Sequence, residues 1–286
     1  MVNPPFSAEV RGAITLTWTL ALREVRAQYN RTALGRLWSL VNPLVTIATY
    51  SLVFGLILAG QAPPGINSKL HFFSLWIAVG LVTWTFLSSS IAAGMSALLG
   101  NAGLLTKVHF PRVVLVVSAV IAKAATFLTE LSVIMVIVAA IVGPKIFLMI
   151  PVLVVFIILL AVFCTGVALT LSIVVIWFRD IEHLWGLFSQ VWMYASGVVF
   201  PVTLVASAST RLFQDGISIN GQPIPLLAVF RANPAEQFIE AFRALIYDFA
   251  LPNWDIWLMT TLWACGSLTI GTLVFRAKQA RIVEEL

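Results

Sequence analysis

The residue types that most often carry catalysis are few and scattered in this sequence. Its three histidines, His71, His109 and His183, stand in different polar segments, and none shows the HExxH spacing of a zinc site. Neither a GxxxxGK[ST] phosphate loop nor a GxSxG nucleophile elbow occurs in the chain. We therefore predict no catalytic residue, no metal site and no cofactor in this chain, so any use of ATP must fall to another subunit.

Two charged residues inside an otherwise apolar segment are the clearest chemical signal. Lys123 and Glu130 are seven residues apart, which returns them to nearly the same helix face but separates them by about 10 Å along the axis. That distance is too long for a direct ion pair. The two side chains could line a polar path, or they could tune helix packing, with Glu130 extending to the nearer membrane surface. The packing role is the simpler of the two.

Composition determines the fold class. Hydrophobic residues make up 60% of the 286 residues and charged residues 10%, against about a quarter charged in an ordinary soluble domain. The apolar segments lack the strict alternation of barrel strands. We therefore expect an all-α membrane protein. The first residues lack an uninterrupted apolar core with a cleavage site, so no removable signal peptide is expected.

Six segments are long enough to cross a hydrocarbon core of about 30 Å as helices, and residues 1–286 are predicted to form one transmembrane domain. The predicted spans are residues 37–60, 72–93, 113–142, 147–177, 184–206 and 256–275. Residues 97–110 form a short basic loop, and residues 207–254 are the longest polar stretch. In that stretch Pro234 can begin an amphipathic helix. Short re-entrant helices and an ordinary outer loop both fit it.

Loop charges predict the orientation. With six spans both termini lie on one side, and that side carries eleven Arg and Lys residues against five on the other. The positive-inside bias therefore places both termini in the cytoplasm. The net charge of +5 follows from this asymmetry, so we expect no nucleic-acid partner.

A helix with one apolar stripe is predicted before the first span, over residues 13–35. The stripe consists of Ile14, Trp18, Leu22, Val25, Tyr29 and Ala33. Arg23, Arg26 and Arg31 lie off the stripe. Such a helix suits the inner membrane surface, with its arginines toward lipid headgroups or a cytoplasmic partner. A topology anchor and a partner-binding surface fit the residues equally well.

Aromatic residues recur along the spans. Those near span ends ordinarily belong to the interfacial belts, whereas mid-span rings can pack on the apolar faces of sugars through dispersion. The candidates for a translocation path are Trp38, Trp84, Phe86, Trp185, Phe188, Trp192 and Tyr194. Packing against lipid or within the core is the alternative for each of them.

Several segments together resemble the membrane subunits of polysaccharide-export ABC transporters. The stretch "LALREVRAQYNRTALGRLWSLVNP" fits that family's R-E-basic segment followed by Y-x-R-x-x-L-G-x-L-W-x-x-x-x-P. The likeness continues through "LLTKVHFPR", "WFRDIEHLWGLFSQVWMYASGVVFP" and "NPAEQFIEAFR", and so covers nearly the whole chain in order. One departure is Ser196-Gly197, where family members often have Ser-Pro.

The resemblance implies a homodimer of this chain in the bacterial inner membrane, assembled with two ATP-binding cassette subunits that bind ATP–Mg. The implied cargo is a polysaccharide on a polyprenyl diphosphate lipid, of O-antigen, teichoic acid or galactan type. The resemblance also places a coupling-helix loop at residues 97–110. The implied ATPase-coupling residues are Arg23, Arg26, Arg31, Asn101, Leu104, Leu105, Lys107, His109 and Phe110. The implied outer gate, between spans five and six, contains Pro225, Asn233, Pro234, Phe238 and Phe242.

Two other classes of function stay open at this point. An autonomous channel or ion-coupled transporter would ordinarily show more embedded charges or an internal repeat. A membrane enzyme acting on lipid-linked sugars would need a cluster of acids or bases, which the spans and loops do not offer.

Overall fold

A computed structural model of the chain describes residues 6–29, 38–53, 63–105, 110–214 and 225–279. These residues form helices and the segments that connect them, with no strand among them. The all-α fold expected from composition is therefore confirmed.

Eleven α-helices follow one another in the described residues. They are α1 (Phe6–Tyr29), α2 (Trp38–Tyr50), α3 (Phe73–Gly100), α4 (Ala102–Leu105), α5 (Val113–Val142), α6 (Ile150–Trp177), α7 (Ile181–Ala195), α8 (Val202–Gln214), α9 (Leu226–Arg231), α10 (Pro234–Ile246) and α11 (Trp254–Lys278). A short 3-10 helix, Pro144–Met149, leads into α6.

Four helices in the described residues are long and apolar enough to cross a membrane: α3, α5, α6 with its 3-10 turn, and α11. The C-terminal ends of α3, α6 and α11 share one hydrophobic cluster with the N-terminal end of α5. Helices α3, α6 and α11 therefore run toward this end and α5 runs away from it, and α4 connects α3 to α5 there. We call this end the α4 end. The predicted span 113–142 coincides with α5.

The second predicted span, residues 72–93, stops too early. Helix α3 continues to Gly100 because the sequence "SALLG" is compatible with a helix and Leu98 is fully buried. The coupling loop predicted over residues 97–110 therefore contains only one short helix, α4, in its described part. Residues 106–109 lie outside the described residues.

The fifth predicted span, residues 184–206, is wrong as a single helix. Helix α7 ends at Ala195 and α8 begins at Val202. Gly197 between them adopts a φ of +65°, a left-handed conformation that glycine enters at little cost. Pro201 has no N–H for a continuing helix. The chain therefore breaks at Ser196-Gly197 although it lacks the proline that the family often has there.

The first predicted span is described only in part, as α2 and a π-helical turn over residues 51–53. Residues 54–60 of that span, and residues 30–35 of the predicted surface helix, lie outside the described residues. The count of six spans therefore stays a prediction.

Helix α1 packs along α5. Leu20 is buried in the same cluster as Leu115, and the Thr126 hydroxyl donates to Gln28 Oε1 at 3.3 Å. Thr126 follows Val113 by thirteen residues, about 20 Å along α5. The face of α1 that carries Ile14 and Trp18 is left exposed. The first two residues of the predicted apolar stripe are thus free of the bundle, whereas Leu22 and Val25 of the same stripe are half-buried.

Helix α10 lies inside the bundle. Phe238 packs on Phe163 with ring centroids 5.6 Å apart, and Phe163 follows Ile150 by thirteen residues, about 20 Å along α6. The last turn of α10 instead reaches Trp76, close to the start of α3. The chain therefore returns through α10 from the middle of the bundle toward the end opposite α4, the geometry of a re-entrant segment covered by protein.

Helices α6 and α11 make the closest backbone approach. A Cβ on Gly271 would overlap the carbonyl oxygen of Gly166, and a Cβ on Gly166 would overlap the backbone of Ser267. The Ser267 hydroxyl donates to the Phe163 carbonyl at 3.3 Å. Small residues four positions apart on α11, Ser267 and Gly271, thus allow the two helices to meet backbone to backbone, as is typical of membrane helix pairs.

Gly271→Ala should destabilise the protein, because the new methyl group meets a backbone atom that cannot rotate away. Overpacking of this kind costs about 1–3 kcal/mol, so the apparent melting temperature in detergent should fall by roughly 4 °C. Gly266→Ala on the same helix is the matched control, since a Cβ there meets nothing within 4 Å. Equal melting temperatures for the two variants would contradict the close contact.

Candidate functional site

Arg243 holds the break between α7 and α8. This arginine belongs to α10, and its side chain is buried. It donates to three carbonyl oxygens: Gly197 at 2.9 Å, Val198 at 2.7 Å and Trp76 at 3.3 Å. The guanidinium also lies over the Trp76 ring, 3.3 Å from its centroid. Gly80 makes room for it, because a Cβ at that position would overlap the guanidinium. One side chain therefore ties α3, α10 and the helix break together.

Asn233 holds the same break from its other side. Its Oδ1 accepts from the Ala235 N–H at 3.0 Å, which caps α10, and from Trp192 Nε1 at 2.8 Å. Its Nδ2 donates to the Ala195 carbonyl at 3.0 Å and to Ser196 Oγ at 2.9 Å. All four polar positions of the amide are in use, so the end of α7 and the start of α10 are fixed to each other.

The charges around α10 are partly neutralised by burial. Burial lowers the pKa of Arg243 to about 9, while Glu240 and Glu236 act to raise it. The guanidinium therefore stays charged at neutral pH. Burial also raises the pKa of Glu236 to about 8, with Glu240 adding to the shift. Burial thus favours the protonated form of Glu236, which limits the charge that α10 brings into the bundle.

The segment after α10 is fastened to the loop that precedes α3. The Tyr247 hydroxyl donates to the Leu70 carbonyl at 2.8 Å, and the Ser68 hydroxyl donates to the Tyr247 carbonyl. The backbone N–H of Asn67 donates to the Asp248 carbonyl at 2.9 Å. The Asp248 carboxylate accepts from the Ile66 N–H at 3.3 Å. These bonds close the end of the bundle opposite α4.

The aromatic candidates divide into two groups. Trp185, Phe188 and Trp192 form one cluster along α7, and Trp84 of α3 meets Trp192 edge to face at 5.4 Å. Phe86 instead stacks on another ring in the core, 4.6 Å between centroids.

The exposed fractions of the aromatic candidates divide them in another way. Trp84 and Phe86 are 5% and 2% exposed and lie in the interior of the chain. Phe188, Tyr194 and Trp38 are 54%, 55% and 42% exposed. A surface role is therefore open to the exposed rings, whereas Trp84 and Phe86 pack the core in this structure.

The coupling candidates meet at the α4 end. Arg23 of α1 donates to Asn101 Oδ1, just after α3, at 3.0 Å. Leu105 is buried, and Leu104 and Phe110 pack against the same cluster. Arg26 is exposed on α1. Arg31, Lys107 and His109 lie outside the described residues.

The remaining gate candidates sit around α9 and α10. Pro225 precedes the first turn of α9, and Pro234 is the first residue of α10, as the sequence predicted. Phe238 and Phe242 are fully buried. The sequence pattern counted Arg243 only as a loop charge and did not single it out. Its spacing could have indicated that it is buried. Arg243 follows the apolar Ile239, which is buried, by four residues and therefore shares a helix face with it.

Arg243→Lys should lower the apparent melting temperature by about 5 °C or more. One ammonium cannot reach three carbonyls, and each buried carbonyl left unpaired costs about 1–3 kcal/mol. Arg231→Lys is the matched control, because that arginine is exposed in the same region. If the two variants melt alike in detergent, the guanidinium does not hold the break.

Asp248 predicts a pH dependence of stability. Burial foremost, with Glu240 adding, raises its pKa from 3.8 to about 6, so folding favours the protonated carboxyl. The stability gained below about pH 4 is therefore lost as the pH rises to about 6. Asp248→Asn keeps an acceptor for Ile66 but cannot ionise.

Melting temperatures measured from pH 4 to pH 8 test this. The difference between Asp248→Asn and the unmodified chain should grow in favour of the variant up to about pH 6 and then level off. A difference that does not change with pH would contradict the shift. All other titrating groups are shared by the two proteins.

Comparison with known proteins gives the family. Residues 15–247 match the family of the ABC-2 type transporter. An O-antigen export system permease protein RfbA from Myxococcus xanthus is 26% identical over 94% of both chains. Two proteins of the same name from Klebsiella pneumoniae are each 24% identical, one over 92% of both chains and the other over 64% of this chain and 68% of its own length. The family match extends from α1 to the end of α10, and the chain therefore belongs to the ABC-2 type transporter family.

Proposed function

We propose that this chain is the membrane-spanning subunit of an ATP-driven exporter of lipid-linked polysaccharide. The observation that carries the proposal is the similarity, over 94% and 92% of this chain, to permeases named for O-antigen export. The cargo is a glycan on a polyprenyl diphosphate, of O-antigen, teichoic acid or galactan type, moved out of the cytoplasm. Two copies of the chain pair with two ATP-binding subunits in the inner membrane, with both termini in the cytoplasm.

The α4 end supports a role in coupling. Side chains of α1 and α4 share one apolar cluster with the ends of α3, α5, α6 and α11. Packed interiors are close to incompressible. A displacement of α1 or α4 by a partner would therefore be passed to four long helices at once, which is what an ATP-driven subunit needs from its membrane partner.

The break between α7 and α8 supports a translocation path for the glycan beside α7. Within the described chain α7 has no fully buried residue, and its cluster of Trp185, Phe188 and Trp192 offers flat apolar faces to sugar rings. Tyr194 of α7 and Trp38 of α2 are further exposed rings. The gate is then the re-entrant pair α9–α10, whose position depends on Asn233 and Arg243.

Co-purification tests the partner surface. Arg26→Glu reverses an exposed charge on α1, so it should reduce recovery of the ATP-binding subunit with the chain. Arg211→Glu is the matched control, because Arg211 is exposed on α8, far along the chain from α1 and α4. Membrane insertion of both variants should be unchanged. Full recovery of the ATP-binding subunit with Arg26→Glu would contradict the assignment of α1 to the interface with that subunit.

A transport assay tests the function itself. Cells that lack this chain should keep their lipid-linked glycan on the cytoplasmic face, where an impermeant glycosidase cannot reach it. Restoring the chain with its ATP-binding subunit should expose the glycan to the enzyme. Conduction of ions by the isolated chain in vesicles, without ATP, would instead favour a channel.

A further inference from the structure

A polar cleft opens between α1, α3 and α5 at the α4 end of the bundle. Its volume is about 350 Å³. Its polar walls are formed by Arg23, Glu24, Ser96, Asn101, Ser118 and Lys123. A second hollow of about 200 Å³ lies on the other side of Lys123 and extends to Glu130. Lys123 therefore stands at the point where two adjoining polar spaces meet.

The cationic groups of this cleft have hydrogen-bond donors that are not engaged within the described chain. In the part of the chain that the structure describes, Lys123 has no hydrogen-bond or ion-pair partner. Arg23 makes one bond, from Nη2 to Asn101 Oδ1, and a guanidinium has five N–H donors. Two cations thus face the cleft with donors to spare, against the carboxylate of Glu24 in its walls and that of Glu182, which accepts from the wall residue Ser96 at 2.8 Å.

The depth of the site points to a lipid. Lys123 follows Val113 by ten residues, about 15 Å along the spanning helix α5. A charge at such a depth is costly unless it meets water or an opposite charge. The anionic headgroup of a lipid can enter the cleft from the surrounding bilayer while the hydrocarbon chain of that lipid stays in the apolar phase.

We propose that the cleft between α1, α3 and α5 binds the phosphate groups of an anionic lipid headgroup, with Arg23 and Lys123 as the cationic ligands. The hydroxyls of the walls are already in use, since Ser96 donates to Glu182 Oε1 at 2.8 Å and Ser118 donates to the Leu115 carbonyl at 2.9 Å. Glu130, in the second hollow, would repel a phosphate that moved farther along α5. This inference rests on the proposed export of a lipid-linked glycan, because the diphosphate of that cargo is one headgroup of the required chemistry.

A simpler role for Lys123 is to neutralise Glu24 through water. The two roles predict opposite results for Glu24→Gln. If Lys123 serves Glu24, removing either charge should have the same effect. If the cleft binds phosphate, removing the carboxylate should leave binding as tight or make it tighter, because a repulsive charge is gone.

Binding is measured with the full-length chain in detergent, by calorimetric titration of farnesyl diphosphate, a short polyprenyl diphosphate. Lys123→Gln should weaken binding by about tenfold or more, because a charge-assisted hydrogen bond is lost. Lys123→Arg keeps the charge and should keep the affinity. Equal affinity for the unmodified chain and Lys123→Gln, or an equal loss with Glu24→Gln, overturns the proposal.

Two further ligands identify the source of the phosphate. Weaker binding of phosphatidylglycerol than of farnesyl diphosphate supports the cargo headgroup, and equal binding supports an ordinary membrane lipid in the same site. Binding of inorganic diphosphate as tight as that of farnesyl diphosphate overturns the assignment to a lipid. These titrations measure binding and include no transport step. The proposed site can therefore be disproved without disproving the export function, and the export function can be disproved without disproving the site.

Discussion

The structure depends on one guanidinium that replaces the hydrogen bonds of a broken helix. Where α7 ends and α8 has not begun, the carbonyls of Gly197 and Val198 have no helical N–H to accept from. Arg243 donates to both and to Trp76 of α3. Because unsatisfied backbone groups are expensive in a membrane, the break persists only while α10 carries this arginine into the bundle.

This constraint explains why the segment between α7 and α11 returns into the fold. Asn233 starts α10 at the end of α7, and Arg243 completes the contact ten residues later, after about three turns. The apolar face of α10, with Phe238 and Phe242, then fills the space between α3, α5 and α6. The hydrogen-bonding requirement of the six residues between α7 and α8 therefore fixes where α10 lies.

The sequence predicted what hydropathy and helical period control. The bounds of α5, the start of α10 at Pro234 and the apolar face that carries Phe238 and Phe242 all follow from local patterns. The break at Gly197 did not follow, because the flanking apolar residues read as one continuous span. Arg243 was missed for a related reason, since a buried arginine is recognised by the distant carbonyls it meets and not by its neighbours in sequence.

The bundle is not held together uniformly. Helices α6 and α11 meet backbone to backbone at Gly166 and Gly271, so they cannot slide without losing dense packing. Helix α7 instead buries no residue fully within the described chain and is held by the bonds of Asn233 and Arg243. A shift of α7 would therefore exchange a few polar bonds and little apolar area. We expect conformational change in this protein to begin at α7 and the re-entrant helices, while α6 and α11 move as a single unit.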